Sequence, residues 1–299
     1  MKTAHNMLER HHLNIIRAVV EHGTLTKAAE TLFLSQSALS HTIKKLEEQL
    51  GAPLWNKDGR NLRLTQAGER LHRFAQNILP QFDHLEEQLG YYARGQSGLL
   101  RIGMECHPCY QWLLKIVAPY LEAWPRVDVD VKQQFQFKGA GALLAYEVDI
   151  LITPDPVQTA GLHYLPVFPY EQVLVVARDH PLAAKDTVQP EDLAHETLLT
   201  YPVPVERLDI YQQFLLPAER SVAAHRTLET TEILLQMVAA NRGVTALPHW
   251  LIREQAAHLP LACLRLGDGI YKHIHLGLRD GERQVDYIDG FIHIAEGMR

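Results

Sequence analysis

Leu13, Ile16 and Val20 recur at helical spacing, and Gly23 follows as a stop signal. Leu25, Ala28, Ala29 and Leu32 form a second, shorter apolar stripe. A third segment opens at Ser35, a natural N-cap, and closes at Gly51 with Pro53. With successive residues about 100° apart on a helix, Ile43, Leu46 and Leu50 fall within about 40° of Leu39 and form a stripe that must be buried. Ser37, Ser40, His41, Lys44 and Glu48 gather on a wet face between about 100° and 200°. The first fifty residues therefore predict helix, helix, turn, helix. Leu54 to Thr65 predicts a hairpin, because Leu62 and Leu64 alternate with polar residues and Asp58-Gly59 marks a turn.

From Gln66 to Arg94 the pattern changes. Leu71, Phe74, Ile78, Phe82, Leu85, Leu89 and Tyr92 recur at steps of three and four. This heptad seam predicts a linker helix of about 44 Å that pairs with a partner helix. Pro80 predicts a kink in it, and Arg94 to Gly98 a hinge. Beyond the hinge, apolar runs such as LLRIGM, VDVDV, VDILIT, QVLVVA, TLLTY and HIHLGL alternate with the helical patterns YQWLLKIVAPYLEAW and TEILLQMVAAN. Alternation of this kind predicts an α/β domain with largely parallel sheet. About 200 residues are many for one sheet, so two lobes are expected. The predicted organisation is multidomain: residues 1–65 a mainly α domain; residues 66–95 a linker and dimerisation helix; and residues 99–299 a two-lobed α/β domain. Its first lobe takes in about 99–165 and 267–299, and its second about 166–266.

The bulk numbers change this picture little. The chain has 299 residues, 46% of them hydrophobic and 21% charged, ordinary globular usage. No run approaches the ~18 apolar residues of a membrane span, and the polar start lacks the apolar core of a signal peptide. Cys106, Cys109 and Cys263 make no disulfide framework. A cytoplasmic protein follows. The net charge of −6 argues against nucleic-acid binding if read globally, but it is uneven: up to Ser97, 12 Lys and Arg face 10 Asp and Glu, against 17 and 25 in the remainder. Binding at the front of the chain has to rest on local placement.

The wet face of the third segment supplies that placement. Small hydroxyls let a helix approach a surface closely, and hydroxyls, His and Lys donate to phosphates and base edges. A helix of this kind after a shorter helix and a turn fits helix-turn-helix geometry. Ser35, Gln36, Ser37, Ser40, His41 and Lys44 are the candidate DNA contacts there, with Gln36 suited to a bidentate pairing with adenine. Lys57, Arg60 and Arg63 in the hairpin suit the DNA backbone or minor groove. The segment TLTKAAETLFLSQSALSHTIKKLEEQLGAPLW, followed by LRLTQAGE, resembles the winged helix-turn-helix of LysR-type transcriptional regulators. The resemblance covers essentially the whole chain. It implies a linker helix that pairs two subunits, and a two-lobed domain of periplasmic-binding-protein type II that binds a small effector. Many members carry Pro at the position of Ser37 and Arg at that of His41. The stretches MECHPCYQWL, DHPLAAK, PEDLAHETLLTYPV and QMVAANRGVTALPHW further resemble the branch of the family that regulates methionine biosynthesis. That resemblance implies homocysteine as effector and methionine-synthase genes as targets. The partners implied are double-stranded operator DNA with near-palindromic half-sites, RNA polymerase and a further copy of the chain.

Ligands of open α/β lobes sit outside the carboxyl ends of the strands. Glu105, Cys106, His107 and Cys109 follow the first strand and open a helix; Thr153 and Asp155, Thr200 and Tyr201, and Thr245 mark other strand ends; Thr230 starts a further helix. Helix N-termini suit an amino-acid carboxylate, and Glu105 or Asp155 suits an ammonium. The competing reading of the hydroxyls is that they merely cap helices. Cys106-His107-Pro108-Cys109 admits pocket lining for a thiol-bearing ligand, a purely structural role, redox sensing or a zinc site with Glu105 and His107. His249-Trp250 reads as a packing corner. The sequence holds no G-x-S-x-G, P-loop, H-E-x-x-H or G-x-G-x-x-G pattern, so no enzyme, no metal and no cofactor other than an effector is expected. The alternatives are a regulator of this family with another effector or a redox signal at Cys106 and Cys109, and a solute-binding or redox protein that shares the lobes.

Overall fold

The structure, a computed structural model, describes residues 8–58, 61–94, 97–132 and 138–298. The chain divides into two compact units, Met1–Gly95 and Gln96–Arg299.

In the first unit, α1 (Arg10–His22) ends at Gly23, α2 (Leu25–Thr31) is capped by Thr24, and α3 spans Gln36–Leu50. The Ser35 hydroxyl accepts from the Ala38 N–H, and Gly51 closes α3 at φ 67°, a conformation that favours glycine. The hairpin β1 (Trp55–Asp58) and β2 (Asn61–Leu64) follows, then α4 (Gln66–Ala93). Leu39, Ile43 and Leu46 are buried as their spacing requires, and Leu50 is partly so. Gly68 lets α4 approach the hairpin: a Cβ there would lie 2.2 Å from the Leu54 carbonyl.

The linker seam needs correction. Leu71 is buried with Ala75 and Leu79 against Leu13, Ile16 and Leu54, and Ile78 packs on the same cluster. Helix α1 lies along this part of α4 and takes its apolar face. Within this unit, Phe74, Phe82, Leu85, Leu89 and Tyr92 stay exposed. Helix α4 continues through Pro80, which forfeits one ladder bond.

The second unit comprises β3 (Gly98–Met104), α5 (Pro108–Ala123), β4 (Val127–Lys132), α6 (Gly139–Leu144), β5 (Ile150–Thr153), β6 (Leu162–Ala177), β7 (Thr187–Val188), β8 (Thr197–Thr200), β9 (Ala224–Thr227), α7 (Thr231–Ala239), β10 (Thr245–Pro248), α8 (His249–Gln255), β11 (Leu261–Arg279) and α9 (Asp286–Gly297), with short 3-10 and π turns between them. Among the described residues the main sheet has the order β10-β6-β11-β5-β3-β4, with β7 beside β11. The expectation of a largely parallel sheet is corrected. Strand β3 pairs parallel with β4 and β5, and β7 pairs parallel with β11, but the two longest strands, β6 and β11, run antiparallel to each other. β10 is antiparallel to its neighbour β6, and β5 to its neighbour β11. The long strands pass through both lobes. Ile274, Leu276 and Leu278 of β11 join the core of α5 and α9, whereas Leu264, Leu266 and Ile270 join that of the second lobe. In β6, Val173 and Val175 face α7 and α8 while Leu174 and Val176 face the opposite side, the two-residue alternation of a strand covered on both faces. Register shifts in β11 fall between Arg265 and Ile270 and between Ile274 and His275.

A buried charge cluster ties three of these strands. Asp149, fully buried just before β5, accepts from the Arg101 backbone N–H at 2.9 Å, from Arg101 Nε and Nη2, and from Arg279 Nη2 at 3.0 Å. Arg279 Nη1 also donates to the carbonyls of Leu143 and Val148. Removing one member of such a cluster leaves uncompensated buried charge. Asp149→Ala should therefore cost the second unit about 3–5 kcal/mol, measured as a lowered denaturation midpoint by urea titration.

Candidate functional site

The first unit carries one candidate surface. Gln36, Ser37, Ser40, His41 and Lys44 are exposed along α3, Gln36 at its first turn and the other four on the side away from Leu39, Ile43 and Leu46. Ser35 spends its hydroxyl on the helix cap, 3.2 Å from the Ala38 nitrogen and 3.1 Å from the Ser37 hydroxyl. Lys44 lies 3.9 Å from Glu48, both mostly in solvent, a pairing too weak to hold the lysine from a phosphate. Arg63 is exposed on β2, opposite Asn56; Lys57 sits on β1, and Arg60 lies outside the described residues. Phe33, in the turn before α3, is 96% exposed at φ 55°. An aromatic side chain in that left-handed conformation is unusual, and sequence reasoning gave it no role.

The second unit holds a cleft of about 110 Å³ at the strand ends. Glu105, Cys106, His107, Cys109, Asp155, Thr200, Tyr201 and Thr245 all line it. Thr153 and Thr230 do not. Thr153 is buried, with its hydroxyl accepting from the Asp155 N–H, and Thr230 caps α7 beside a neighbouring depression. Thr245 lines the cleft but donates to the Leu199 carbonyl at 2.7 Å, so its hydroxyl is committed to the fold. Tyr201 Oη pairs with Thr231 Oγ1 at 2.8 Å. Its ring stacks on His107, centroids 4.3 Å apart and planes within 5°, joining the start of α5 to the second lobe. Burial lowers the His107 pKa, partly offset by Glu229.

Neither proposed ammonium acceptor is unoccupied. Glu105 Oε1 accepts from the Gly139 N–H at 2.8 Å. Asp155 pairs with Lys272, which also donates to both carboxylate oxygens of Asp209 at 2.9 and 3.0 Å. Burial opposes the charge on Lys272, but Asp209 and Asp155 prevail and its pKa is raised. Sequence reasoning missed Asp209, Tyr170, Gln172 and Arg207, and Lys272 behind Asp155 and Asp209, because each comes from a strand interior or a short turn, and only the fold brings them to the cleft or its carboxylates. Trp250 does pack as a corner, edge-on to Phe168 at 5.7 Å, but it also lines the cleft, with its indole N–H buried and unpaired. His249 is exposed.

Cys106 and Cys109 are joined as a disulfide, and Cys263 is free. The three cysteines thus make one local bridge between neighbours rather than a framework of bridges. The four-residue loop sits at the first turn of α5, where two thiols approach closely, their Cα atoms 5.5 Å apart. With both sulfurs so engaged, neither is a thiolate ligand for zinc, and among the described residues no group of three or more His, Cys, Asp or Glu gathers as a metal site. Among them also, no helix is long and apolar enough to cross a membrane.

Residues 10–69 match the bacterial regulatory helix-turn-helix of the lysR family, and residues 93–298 the LysR substrate binding domain. The chain belongs to the LysR family of transcriptional regulators. It is 40% identical to the HTH-type transcriptional regulator MetR of Escherichia coli over 289 residues, 97% of this chain and 90% of that one, and 39% identical to MetR of Salmonella typhimurium over 96% and 89%. The regulatory domain of MetR from N. meningitidis superposes with a TM-score of 0.62 at 33% identity, covering 68% of this chain and 94% of that domain. Within the family, then, the chain is of the MetR type: a DNA-binding helix-turn-helix joined to an effector-binding domain. Full-length CbnR in complex with its target DNA shares the architecture over 98% of this chain and 100% of its own, at 20% identity and a TM-score of 0.62.

A depressed histidine pKa means that the unfolded chain binds the proton more readily than the folded one. The His107 contribution to stability is thus complete above the ordinary value of 6.5 and is lost as pH falls below it. Thermal melts between pH 7.5 and 5 should show a weaker dependence below about 6.5 for His107→Gln than for the parent.

Proposed function

We propose that the chain regulates methionine-biosynthesis genes with homocysteine as its effector, bound in the cleft of the second unit. The observation that carries this reading is the cleft itself: the residues of Glu105 to Cys109, which resemble the methionine branch, line it together with Asp155 and Tyr201. It is supported by similarity to MetR proteins along nearly the whole chain. The α3 residues Gln36, Ser37, Ser40 and His41 read base edges in the major groove, and Lys44, Lys57, Arg60 and Arg63 neutralise phosphates. The exposed Phe74, Phe82, Leu85 and Leu89 of α4 pair two subunits, which fixes the half-site spacing of a near-palindromic operator. The oligomer acts in the cytoplasm, contacts RNA polymerase, has no enzymatic activity and takes no cofactor beyond its effector.

The mechanism is a biased equilibrium. His107 on the first lobe and Tyr201 on the second meet across the cleft. A ligand that touches both lobes favours the arrangement in which those contacts form, and it shifts the equilibrium only by its difference in affinity for the two states. The shift alters how subunits pack and hence how the operator is bent.

Homocysteine at 100 times its dissociation constant should stabilise the protein by about 2.7 kcal/mol, read by thermal denaturation, with simple carboxylates giving no shift. Absence of any shift would remove homocysteine as effector. Ser40→Ala and His41→Ala should each weaken operator binding by about 1–3 kcal/mol for the lost base contact while leaving binding to unrelated DNA nearly unchanged, as measured by fluorescence anisotropy. Equal losses on both DNAs would assign these residues to backbone contact.

A further inference from the structure

The disulfide occupies the position that a bound thiol must approach. Both sulfurs belong to the wall of the cleft, yet their exposures differ: Cys106 is half-buried, whereas Cys109 is 2% exposed. An incoming thiolate therefore reaches Cys106 Sγ. Cys109 is the second residue of α5, inside the first turn of a 16-residue helix. The Cys109 N–H donates to Cys106 Sγ at 3.2 Å, so the first turn of α5 holds the attacked sulfur in place. Access thus selects the direction of attack.

We propose that the protein holds its effector covalently, as a mixed disulfide between homocysteine and Cys106; this rests on the homocysteine reading above. The ligand thiolate attacks Cys106 Sγ, the Cys106–Cys109 bond breaks, and its electron pair leaves on Cys109 Sγ. One disulfide is consumed and one is formed, so no oxidant or reductant is needed. The proton of the ligand thiol goes to solvent or to Cys109. In the reverse step the Cys109 thiolate attacks Cys106, restores the internal bridge and expels the ligand. Because Cys109 stays three residues away on the same turn, re-closure is fast for any thiol not otherwise held. Only a thiol whose amino-acid end is retained by the polar groups of the cleft keeps the bridge open. Methionine lacks the thiol and cannot begin the reaction.

Opening the bridge also has a structural outlet. It releases the tether across residues 106–109, including the Cys109 N–H bond to Cys106 Sγ at 3.2 Å. The ring between them, His107, is the one stacked on Tyr201 of the other lobe. The covalent step thus acts on a contact that joins the lobes.

The test is intact-mass and peptide mapping of the full-length protein, purified without reductant. It is incubated with homocysteine, methionine or 2-mercaptoethanol, quenched in acid and alkylated, and thermal melts are run in parallel. The expected result is a mass gain of one whole homocysteine on Cys106 with Cys109 alkylated, no gain with methionine, and a several-fold smaller gain with 2-mercaptoethanol at equal concentration. Stabilisation by homocysteine without an adduct would overturn the covalent step and leave the effector standing. Neither stabilisation nor adduct would overturn both. Equal adducts with homocysteine and 2-mercaptoethanol would overturn recognition in favour of mere reactivity. In Cys109→Ser, the disulfide form of homocysteine should load Cys106, and the adduct should persist after free ligand is removed while the parent sheds its own. Equal loss from both proteins would overturn re-closure by Cys109.

Discussion

The buried carboxylate of Asp149 is the constraint on which the effector domain turns. It is removed from water and survives there because Arg101 and Arg279 surround it with charge-assisted hydrogen bonds. Arg101 belongs to β3, Asp149 precedes β5, and Arg279 ends β11. The same strands bring Glu105 and Asp155 to the cleft wall and Lys272 against Asp155. A buried ion pair is weak evidence for stability in general, but a cluster that accepts only one mutual placement of three strands fixes register. The cleft inherits that register.

Local rules made the first unit legible almost residue by residue. Ser35 and Gly51 bracket α3, and the 3.6-residue period sorted its buried and exposed faces. Periodicity misled at α4 for a physical reason. A seam of Leu71, Phe74 and Ile78 looks the same whether the helix packs on its own domain or on a second copy, and only tertiary structure shows that α1 takes Leu71 and Ile78. In the second unit the strands were readable, their directions were not. A long apolar run such as QVLVVA is equally consistent with a parallel or an antiparallel neighbour, and the antiparallel pairing of β6 with β11 joins residues about a hundred positions apart.

The cleft was legible where strand ends coincide with motifs, as at Glu105 to Cys109, and opaque where residues arrive from strand interiors. Lys272 is the clearest case. Nothing near it in sequence announces a partner, yet it sits between Asp155 and Asp209, which lie 117 and 63 positions away. The hydroxyls divided as helix caps and pocket groups must: Thr230 and Thr153 serve the backbone, whereas Tyr201 faces the cleft and spans to α7.

The Lys272 bridge bears on which small molecules the protein ignores. One ammonium shared by two carboxylates leaves a residual negative charge, and among the described residues Glu105 and Arg207 also line the cleft. A dicarboxylate entering this space would bring two further negative charges into a partly desolvated region that already repels them. A zwitterion brings none net and meets only local fields, each of its ends free to find its own complement. On charge alone the triad of Lys272, Asp155 and Asp209 thus disfavours a dianion relative to a zwitterion, without a residue that recognises either.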